Sequence, residues 1–543
     1  MSPIDKHHTS AQQNDFDAII IGAGFAGMYM LHKLRGQGLR VRVYERGDDV
    51  GGTWYWNRYP GARCDLESMD YSYSFDDDLQ QDWDWQEKYG TQPELLKYAS
   101  HVADRFKLRS DIVFKTKITS ARYNKEAQAW TITTDQGDAV SATHLILATG
   151  NLSTPQLPKI KGVESFSGRR LHTGAWPHDP VSFKGRRVGI IGTGSSAIQA
   201  IPIIADQAEH LTVFQRTANF SIPARHGPLS TADSSAYKAR YTEHRATAKE
   251  TPFGIAKYKT PTRSCWDVDD TERQNIYEKA WAEGGQALLF AFTDLLTDSK
   301  ANETAAEFVR ERIRKAVNDP AVAELLCPKD HPIGTKRLCL DSSYYETYNR
   351  GNVSLIDVKN TPISHIEADA VVVGHDRYEI DDLVLATGYD AMTGVARDMD
   401  IVGEGGMDLA RLWAGGPQTY LGLMVANFPN MYMITGPQSP GVKSQMILSI
   451  EHHVELIAAI IKKAQIPGSA TVRVEQDAQD GWVEHNNAIA DATLYTEAAS
   501  WYMGSNIPGK AQVFMPYVGG VKRYRAYCDE VINDGWRGLK FSA

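Results

Sequence analysis

The sequence predicts an α/β protein with two similar βαβ domains, the second inserted into the first, and an inserted helical subdomain. Two glycine-rich runs support this prediction, because each follows a short apolar run and opens a helical pattern. A third observation gives the order of the domains. The run Leu-Ala-Thr-Gly occurs at residues 147–150 and again at 385–388, on either side of the second glycine-rich run. The chain is therefore expected to leave the first domain after residue 150 and to return to it at residue 388.

The first glycine-rich run is a complete GxGxxG fingerprint. Gly22, Gly24 and Gly27 follow the apolar residues 18–21. Such glycines let the backbone turn tightly and approach a pyrophosphate, which then lies at the positive end of the helix. Glu45 ends the next predicted strand, where a carboxylate accepts hydrogen bonds from an unmodified adenosine ribose. The sequence predicts a site for FAD or NAD, and its place near the N-terminus favours FAD.

The second run reads GxGxxA. It is followed by a different residue at the strand end that would contact the adenosine ribose. The strand that follows it ends in Gln215-Arg216 instead of an acid. A carboxylate would repel a 2′-phosphate, whereas a guanidinium is a planar cationic fork suited to phosphate. Two Rossmann-like domains are therefore predicted, one for FAD and one for NADPH, with electrons passing between them. The second fingerprint consists of Gly192, Thr193, Gly194, Ser195 and Ser196, followed by Ala197.

The order of these motifs divides the chain. From residue 224 to 332 the pattern becomes helical and charged, and Thr304 and Glu307 have the spacing of a capping box before Val309 and Ile313. The expected parts are a disordered lead at residues 1–15, an FAD-binding domain at 16–150 and 388–543, an NADP-binding domain at 151–223 and 333–387, and the helical subdomain at 224–332.

Composition and charge exclude several classes of protein. The net charge is −9 with no basic run, which argues against nucleic-acid binding, and no apolar stretch reaches membrane-spanning length. The N-terminus lacks the apolar core of a signal peptide. The five cysteines form no CxxC pair, so neither a redox dithiol nor a disulfide framework is expected. We expect a cytoplasmic monomer without a metal site.

Two longer runs carry a resemblance to a known family. Residues 51–65 read GGTWYWNRYPGARCD, and residues 166–177, just before the second fingerprint, read FSGRRLHTGAWP. Together with the fingerprints they resemble the signatures of the type I Baeyer–Villiger monooxygenases, in particular the phenylacetone and steroid monooxygenase branch. The resemblance extends from residue 15 to the C-terminus.

This resemblance implies a reaction. FAD would be reduced by NADPH and would bind molecular oxygen as a C4a-peroxyflavin. Attack on a ketone carbonyl would give a Criegee intermediate, and migration of carbon would give an ester or lactone. The cofactor does the bond-making, and the protein orients it and stabilises negative charge.

The resemblance also assigns roles to residues. Arg337 falls on the catalytic arginine and Asp65 on its carboxylate partner at the cofactor, while Lys336 would join Arg216 on the 2′-phosphate. Adjacent residues of an extended strand point to opposite faces, so Lys336 and Arg337 could serve different ends of NADP. The resemblance further implies Thr53 and Trp54 at the FAD, Trp501 over NADP on a loop with Gly504 and Gly509, Leu66, Val442, Lys443 and Met446 in the substrate pocket, and His172 and Trp176 in the coupling of the domains.

Three other interpretations remain open at this stage. A flavin-dependent S- or N-oxygenating enzyme of the same fold, with a sulfide as one substrate, is disfavoured by Trp176-Pro177 and by Asp65 and Arg337. A pyridine-nucleotide:disulfide reductase would need the dithiol that the sequence lacks. The third is a nucleotide-binding sensor without turnover. Lys443 is a departure from the family, which usually has an apolar residue there, and it leaves the polarity of the pocket and the substrate range open.

Overall fold

The computed structural model describes residues 14–543. Residues 1–13 of the expected lead lie outside the described part, but the end of the lead differs from expectation. The Asp15 carboxylate accepts hydrogen bonds from the backbone N–H and the hydroxyl of Ser141, at 2.8 and 2.9 Å. Asp15 is thus hydrogen-bonded to the strand formed by Ala139–Leu147. No helix within residues 14–543 is both long enough and apolar enough to span a membrane.

The first part of the chain forms six strands of an eight-stranded sheet, in the order β4-β5-β6-β1-β2-β3. The central strand pairs in parallel with both of its neighbours, and its residues 18–21 are buried, which explains why that run is apolar throughout. The elements are β1 (Phe16–Ile21), α1 (Phe25–Gly36), β2 (Val41–Tyr44), α2 (Thr53–Trp56), α3 (Asp77–Asp82), α4 (Gln92–Arg105), β3 (Ile112–Val113), β4 (Ile118–Asn124), β5 (Ala129–Thr134) and β6 (Ala139–Leu147).

The next part begins a second, separate sheet around the second fingerprint. Its first three strands are parallel to their neighbours, and the helix after the fingerprint buries one apolar face on them. The elements are β7 (Arg169–His172), β8 (Arg187–Ile191), α5 (Ser195–Gln207), β9 (His210–Gln215) and a short β10 (Ser221–Pro223).

A helical segment follows, and it corrects one expectation. Asp298, not Thr304, caps the long helix α9, because its side chain accepts the N–H of Ala301 at 2.8 Å. Thr304 lies inside the helix, where its hydroxyl donates to the Ala301 carbonyl at 2.7 Å. The helices are α6 (Thr231–Lys238), α7 (Tyr241–Lys249), α8 (Asp270–Glu283), α9 (Ser299–Ala316) and α10 (Pro320–Leu326).

The chain then completes the second sheet, whose order is β12-β9-β8-β16-β7. All of its pairs are parallel. A small antiparallel sheet of three strands, β13 to β15, packs beside it and shares an apolar cluster with it. The elements are β11 (Cys339–Asp341), α11 (Tyr344–Thr347), β12 (Val353–Asp357), β13 (Ile363–Ile366), β14 (Ala370–Val373), β15 (Asp376–Glu379) and β16 (Asp382–Leu385).

The last part returns to the first sheet. β17 pairs with β4 and β18 pairs with β6, both in parallel, and α14 packs against α1. The predicted α/β fold with one nucleotide-binding domain inserted into the other is therefore confirmed. The elements are α12 (Gly394–Asp398), β17 (Asp400–Val402), α13 (Leu409–Leu412), β18 (Met431–Met433), α14 (Met446–Ala464), β19 (Thr471–Val474), α15 (Gln476–Asp491), α16 (Val521–Asn533) and β20 (Leu539–Ser542).

Candidate active site and nucleotide-binding sites

The first fingerprint forms a tight turn between β1 and α1. Gly22 has a φ of +102°, and a Cβ on Gly27 would lie 1.8 Å from the Gly22 carbonyl oxygen, so neither position accepts a side chain without displacement of the backbone. Glu45 follows β2 and is buried. Its carboxylate accepts the N–H groups of Ala23 and Gly47 at 2.8 and 2.7 Å, which fixes it beside the turn. This geometry fits an adenosine dinucleotide with an unmodified ribose.

The run at residues 51–65 packs onto this turn. Gly24 faces the Cα of Gly52, 3.4 Å from the position that a Cβ on Gly24 would take, and the exposed Thr53 opens α2 just beyond. Trp54 is buried in the core, where its indole N–H donates to the Tyr71 hydroxyl at 3.2 Å. Thr53 is therefore exposed to solvent near the fingerprint. Trp54 instead packs into the core and anchors residues 51–65 there.

A buried amide near this site was not predicted from the sequence. The side-chain Nδ2 of Asn151 has no hydrogen-bond partner within residues 14–543. It follows the carboxyl end of β6 and lies 3.4 Å from the position of a Cβ on Gly441. A buried donor without a partner indicates that its acceptor belongs to a bound group. Asn151 therefore fits as a hydrogen-bond donor to FAD when FAD is bound. Only its place just after the first Leu-Ala-Thr-Gly run could have indicated it.

The second fingerprint leaves space at the start of α5. Gly194 is the N-cap, and nothing lies within 4 Å of a Cβ built on it. The first turn of α5 contains no acid, so the positive helix end is free to bind phosphate. The neighbouring hydroxyls are held in place. Thr193 donates to the Thr217 carbonyl at 2.7 Å, Ser195 contacts the Cys339 sulfur at 3.2 Å, and Ser196 contacts the Thr173 hydroxyl at 3.1 Å.

Two cations lie where the 2′-phosphate of NADP is expected. Arg216 is exposed directly after β9 and forms no ion pair within residues 14–543. The pKa of Lys336 is lowered by burial and by the charge of Arg216, against the opposing charge of Asp330. An anion bound between these two cations would relieve their mutual repulsion.

Arg337 and Asp65 form a bidentate ion pair. Arg337 Nε donates to Asp65 Oδ2 at 2.7 Å, and Arg337 Nη2 donates to Asp65 Oδ1 at 2.6 Å. Nη1 donates to the Val442 carbonyl at 2.9 Å. Burial opposes the charge on Arg337, but the charge and hydrogen bonds of Asp65 outweigh it and raise the pKa of the guanidinium. Arg337 thus stays protonated in a fixed orientation.

The expectation that Lys336 and Arg337 point to opposite faces of a strand was wrong. Lys336 lies in a bend and Arg337 in the irregular segment just before β11, and both side chains line one cavity. Irregular backbone does not alternate its side chains as a strand does. Arg337 can therefore meet the substrate while Lys336 reaches toward Arg216 from the same wall.

This cavity contains three of the four residues expected in the substrate pocket, namely Leu66, Val442 and Lys443. Met446 is not part of its lining. Met446 is the first residue of α14, and its side chain packs between two apolar clusters of the core. Residues 442–444 thus line the cavity as expected. From Met446 onward the chain forms α14, whose first side chain points into the core.

The helical segment supplies a wall that the sequence did not predict. Phe253, Ile255, Leu289 and Phe290 come from residues 224–332 and make this side of the cavity apolar. Their spacing carries no motif, because they lie on turns and a short helical turn rather than on one helix face. Tyr495 and Tyr502 close the cavity from the C-terminal part of the chain.

His172 and Trp176 lie between the two domains. His172 Nδ1 accepts the N–H of Gly174 at 2.9 Å, so Nε2 carries the proton and faces the Gln156 carbonyl at 3.3 Å. Burial lowers the pKa of His172, which keeps the ring neutral. The backbone N–H of Trp176 donates to the Trp56 carbonyl of the FAD domain at 3.4 Å. His172 thus contacts the segment that leads from the first domain into the second, and Trp176 contacts the FAD domain itself.

Trp501 lies beside the cavity rather than in its lining. It is half-buried, and its ring packs on Tyr502 with centroids 4.2 Å apart. Gly504 and Gly509 in the same loop have φ of +74° and +80°, values that favour glycine.

Comparison with known proteins agrees with this architecture. The family model of pyridine nucleotide-disulphide oxidoreductases matches residues 19–232. A Baeyer-Villiger monooxygenase of Pseudooceanicola batsensis is 42% identical over 99% of this chain and 98% of its own. A phenazine N-monooxygenase of Lysobacter antibioticus is 41% identical over 96% of each chain. The solved structure of an oxidized steroid monooxygenase bound to NADP has a TM-score of 0.92 and 49% identity, covering 97% of this chain and 99% of its own.

The similarities to the relatives and to the solved structure extend over nearly the whole chain and include both nucleotide-binding domains. The chain belongs to the Baeyer–Villiger monooxygenases, the FAD-containing and NADPH-dependent enzymes that use molecular oxygen to convert a ketone into an ester or lactone.

Proposed function

We propose that Arg337, oriented by Asp65, is the catalytic cation that stabilises negative charge during oxygen insertion. The bidentate pair at the edge of the cavity carries this proposal. A guanidinium has five N–H donors, and three of them are used by Asp65 and Val442. The remaining donors are free for an oxygen atom of the cofactor or of the ketone.

The charge of Arg337 is suited to this step because it is permanent. FAD, when bound and reduced by NADPH, would activate molecular oxygen, one atom of which is inserted while the other leaves as water. Arg337 cannot neutralise a negatively charged oxygen nucleophile by protonating it, and it attracts negative charge as that charge moves to the carbonyl oxygen. Asp65 balances the charge of Arg337 and fixes its direction, so the cation needs no reorientation during the reaction.

We further propose roles for the residues around this pair. Arg216 and Lys336 would bind the 2′-phosphate, Trp501 would cover NADP, and His172 and Trp176 would couple the domains. The contacts of His172 and Trp176 across the domain boundary support the last role. We propose an FAD-binding domain at residues 16–150 and 388–543, an NADP-binding domain at 151–223 and 333–387, a helical subdomain at 224–332, and a cytoplasmic monomer. The reducing compartment is supported by the five cysteines, all of them unpaired.

The decisive experiment replaces Arg337. Arg337→Ala should bind FAD and be reduced by NADPH but form no detectable ester, a loss of at least about 100-fold for an electrostatic group of this kind. Arg337→Lys keeps the charge without the fork and should recover little activity. The matched control is Arg40→Ala, which breaks a solvent-exposed pair with Asp17 at the beginning of β1 and should change neither reaction. Normal ester formation by Arg337→Ala would refute the role.

The same assay defines the products. A panel of linear, cyclic, aryl and steroid ketones should yield esters or lactones. A sulfide and an aromatic amine belong in the panel, because one similar protein is named for N-oxygenation. Formation of S- or N-oxides with no ester from any ketone would favour heteroatom oxygenation instead.

A further inference from the structure

The lining of the cavity has an unbalanced charge. Among its residues are three cations, Lys336, Arg337 and Lys443, and no aspartate or glutamate. Two of these cations are accounted for. Arg337 is neutralised by Asp65, and Lys336 lies beside Arg216 in the proposed phosphate site. The ammonium group of Lys443 is the charge left over.

Lys443 has no carboxylate partner within residues 14–543. Its Nζ lies over two aromatic rings instead, 4.0 Å from the centroid of Tyr495 and 4.6 Å from that of Tyr502. Cation–π contacts of this kind stabilise a positive charge only in part. Burial, and then the charge of Arg337, lower the pKa of Lys443 well below its ordinary value. An anion beside the ammonium group would oppose this shift and favour the charged form.

A second donor lies in the same wall. The hydroxyl of Tyr502 is buried and has no hydrogen-bond partner within residues 14–543. Burial raises the pKa of Tyr502 to about 12, opposed by the charge of Arg337 and by its guanidinium N–H groups close to the phenol oxygen, so the hydroxyl keeps its proton and can donate it in a hydrogen bond. The facing wall of Phe253, Leu289 and Phe290 is apolar. The cavity therefore joins a hydrocarbon surface to one cationic corner.

We propose that Lys443 is a specificity residue that selects ketones carrying a carboxylate, which its ammonium and the Tyr502 hydroxyl would bind while the hydrocarbon skeleton lies on the apolar wall. The unbalanced charge is a single one, which matches a carboxylate better than a phosphate dianion. This inference rests on the proposed ketone oxygenation and specifies its substrate class.

The test compares two substrates of nearly the same size that differ in charge, a cyclohexanone with a carboxylate on its ring and the primary amide of the same acid. In the wild-type holoenzyme kcat/KM should be higher for the carboxylate. Lys443→Met should lower the ratio of the two kcat/KM values by at least about 30-fold, as expected for loss of a buried ion-pair partner. Lys443→Arg, which keeps the charge, should retain most of the ratio.

Lys463→Met is the matched control. Lys463 also lies over aromatic rings, those of Trp536 and Phe541, but outside the cavity, and its substitution should leave the ratio unchanged. Calorimetry of the oxidised holoenzyme with NADP⁺ adds a readout that needs no turnover. The carboxylate should bind the wild type more tightly than it binds Lys443→Met.

The outcomes separate the two proposals. An unchanged ratio in Lys443→Met overturns the specificity role, and a raised KM for NADPH with an unchanged ratio would assign Lys443 to the nucleotide. If the wild type binds the carboxylate through Lys443 but converts no ketone, the binding inference stands and the proposed oxygenation fails.

Discussion

Arg216 is the residue that we propose determines the choice of nucleotide. In the first fingerprint domain Glu45 is buried and held by two backbone N–H groups, whereas Arg216 at the corresponding strand end is exposed and unpaired within residues 14–543. The two sites therefore present opposite charges to the adenosine ribose. This difference was visible in the sequence, because a strand end after a fingerprint is a fixed position in the βαβ unit.

Removal of this charge should change the preference for NADPH. We expect Arg216→Ala to raise KM for NADPH by roughly 10- to 100-fold, since a hydrogen bond to a charged group contributes about 1.5–3 kcal/mol, and to leave KM for NADH nearly unchanged. Steady-state kinetics with both nucleotides measures this. Arg411→Ala, an exposed arginine in the FAD-binding half, is the control. An unaltered NADPH/NADH ratio would contradict the assignment.

The proposed catalytic pair was predicted only through the family resemblance. Asp65 and Arg337 are 272 residues apart, and neither lies in a motif that spacing alone explains. Their bidentate contact depends on how the segment before β11 packs against the first domain. In the sequence, Lys443 could be recognised only as a departure from the family. Its position over two tyrosine rings and without a carboxylate partner within residues 14–543 became apparent only in the structure.

At the level of the elements, the start of α5 is the site predicted to bind the pyrophosphate of NADP. Gly194 has open space where a Cβ would be, unlike Gly27, where a Cβ would strike the backbone. Gly194→Ala should therefore leave folding and FAD content unchanged but raise KM for NADPH about tenfold or more, because the methyl group occupies the space of the pyrophosphate.

Melting temperature, flavin absorbance and NADPH kinetics check this expectation. Gly36→Ala is the control, since it also places a methyl group in open space, at the end of α1 and away from the site. A Gly194→Ala variant with lower melting temperature and unchanged KM would show that the glycine serves the fold instead.

His453 on α14 links stability to pH. Its Nδ1 accepts the N–H of Thr435 and its Nε2 contacts the Tyr524 hydroxyl, both at 2.9 Å, and burial lowers its pKa to about 3. The unfolded chain, with a histidine pKa near 6.5, takes up the proton first as pH falls. The contribution of His453 is therefore complete above about pH 6.5 and decreases as pH falls toward 3, by up to about 1.4 kcal/mol per pH unit.

Urea unfolding between pH 7.5 and 5.0 measures this slope. His453→Gln can keep both hydrogen bonds without titrating, so its free energy of unfolding should fall less steeply over that range. Replacement of the exposed His375 by glutamine should leave the slope as in the wild type. Equal slopes for His453→Gln and the wild type would refute the argument.

The capping-box error shows the limit of local patterns. The spacing of Thr304 and Glu307 fits a helix start, but Asp298 offers a stronger cap six residues earlier, and Ala301 and Asn302 are buried there. Burial against neighbouring helices decided where α9 begins, and burial is a property of the packed molecule.

At the scale of the whole molecule, the loop with Trp501 is tied to the point where the chain returns to the FAD domain. Lys510 Nζ pairs with the buried Asp390 at 2.7 Å and donates to the Ala391 carbonyl at 2.8 Å. Asn506 donates to the Tyr389 carbonyl at 2.7 Å. The loop therefore meets the same short segment that His172 contacts through Thr387.

Release of this loop should weaken NADPH binding without loss of FAD. We expect Lys510→Met to raise KM for NADPH several-fold, since loss of contacts to a charged group costs about 1.5–3 kcal/mol and Arg397 still pairs with Asp390. Amide exchange in residues 501–510 should become faster. Lys522→Met, which breaks an exposed pair with Glu250, should alter neither. Unchanged exchange would show that the loop is held elsewhere.

Glycine geometry, local apolar runs and residues at fixed spacing specify the two βαβ units, their opposite charges at the predicted ribose sites and the order of the domains, so all three could be predicted from the sequence. Which side chains share the cavity depends instead on how distant segments pack. The apolar wall, the orphaned Asn151 amide and the uncompensated Lys443 come from segments far apart in the chain. Their meeting depends on packing between domains, which no local pattern encodes.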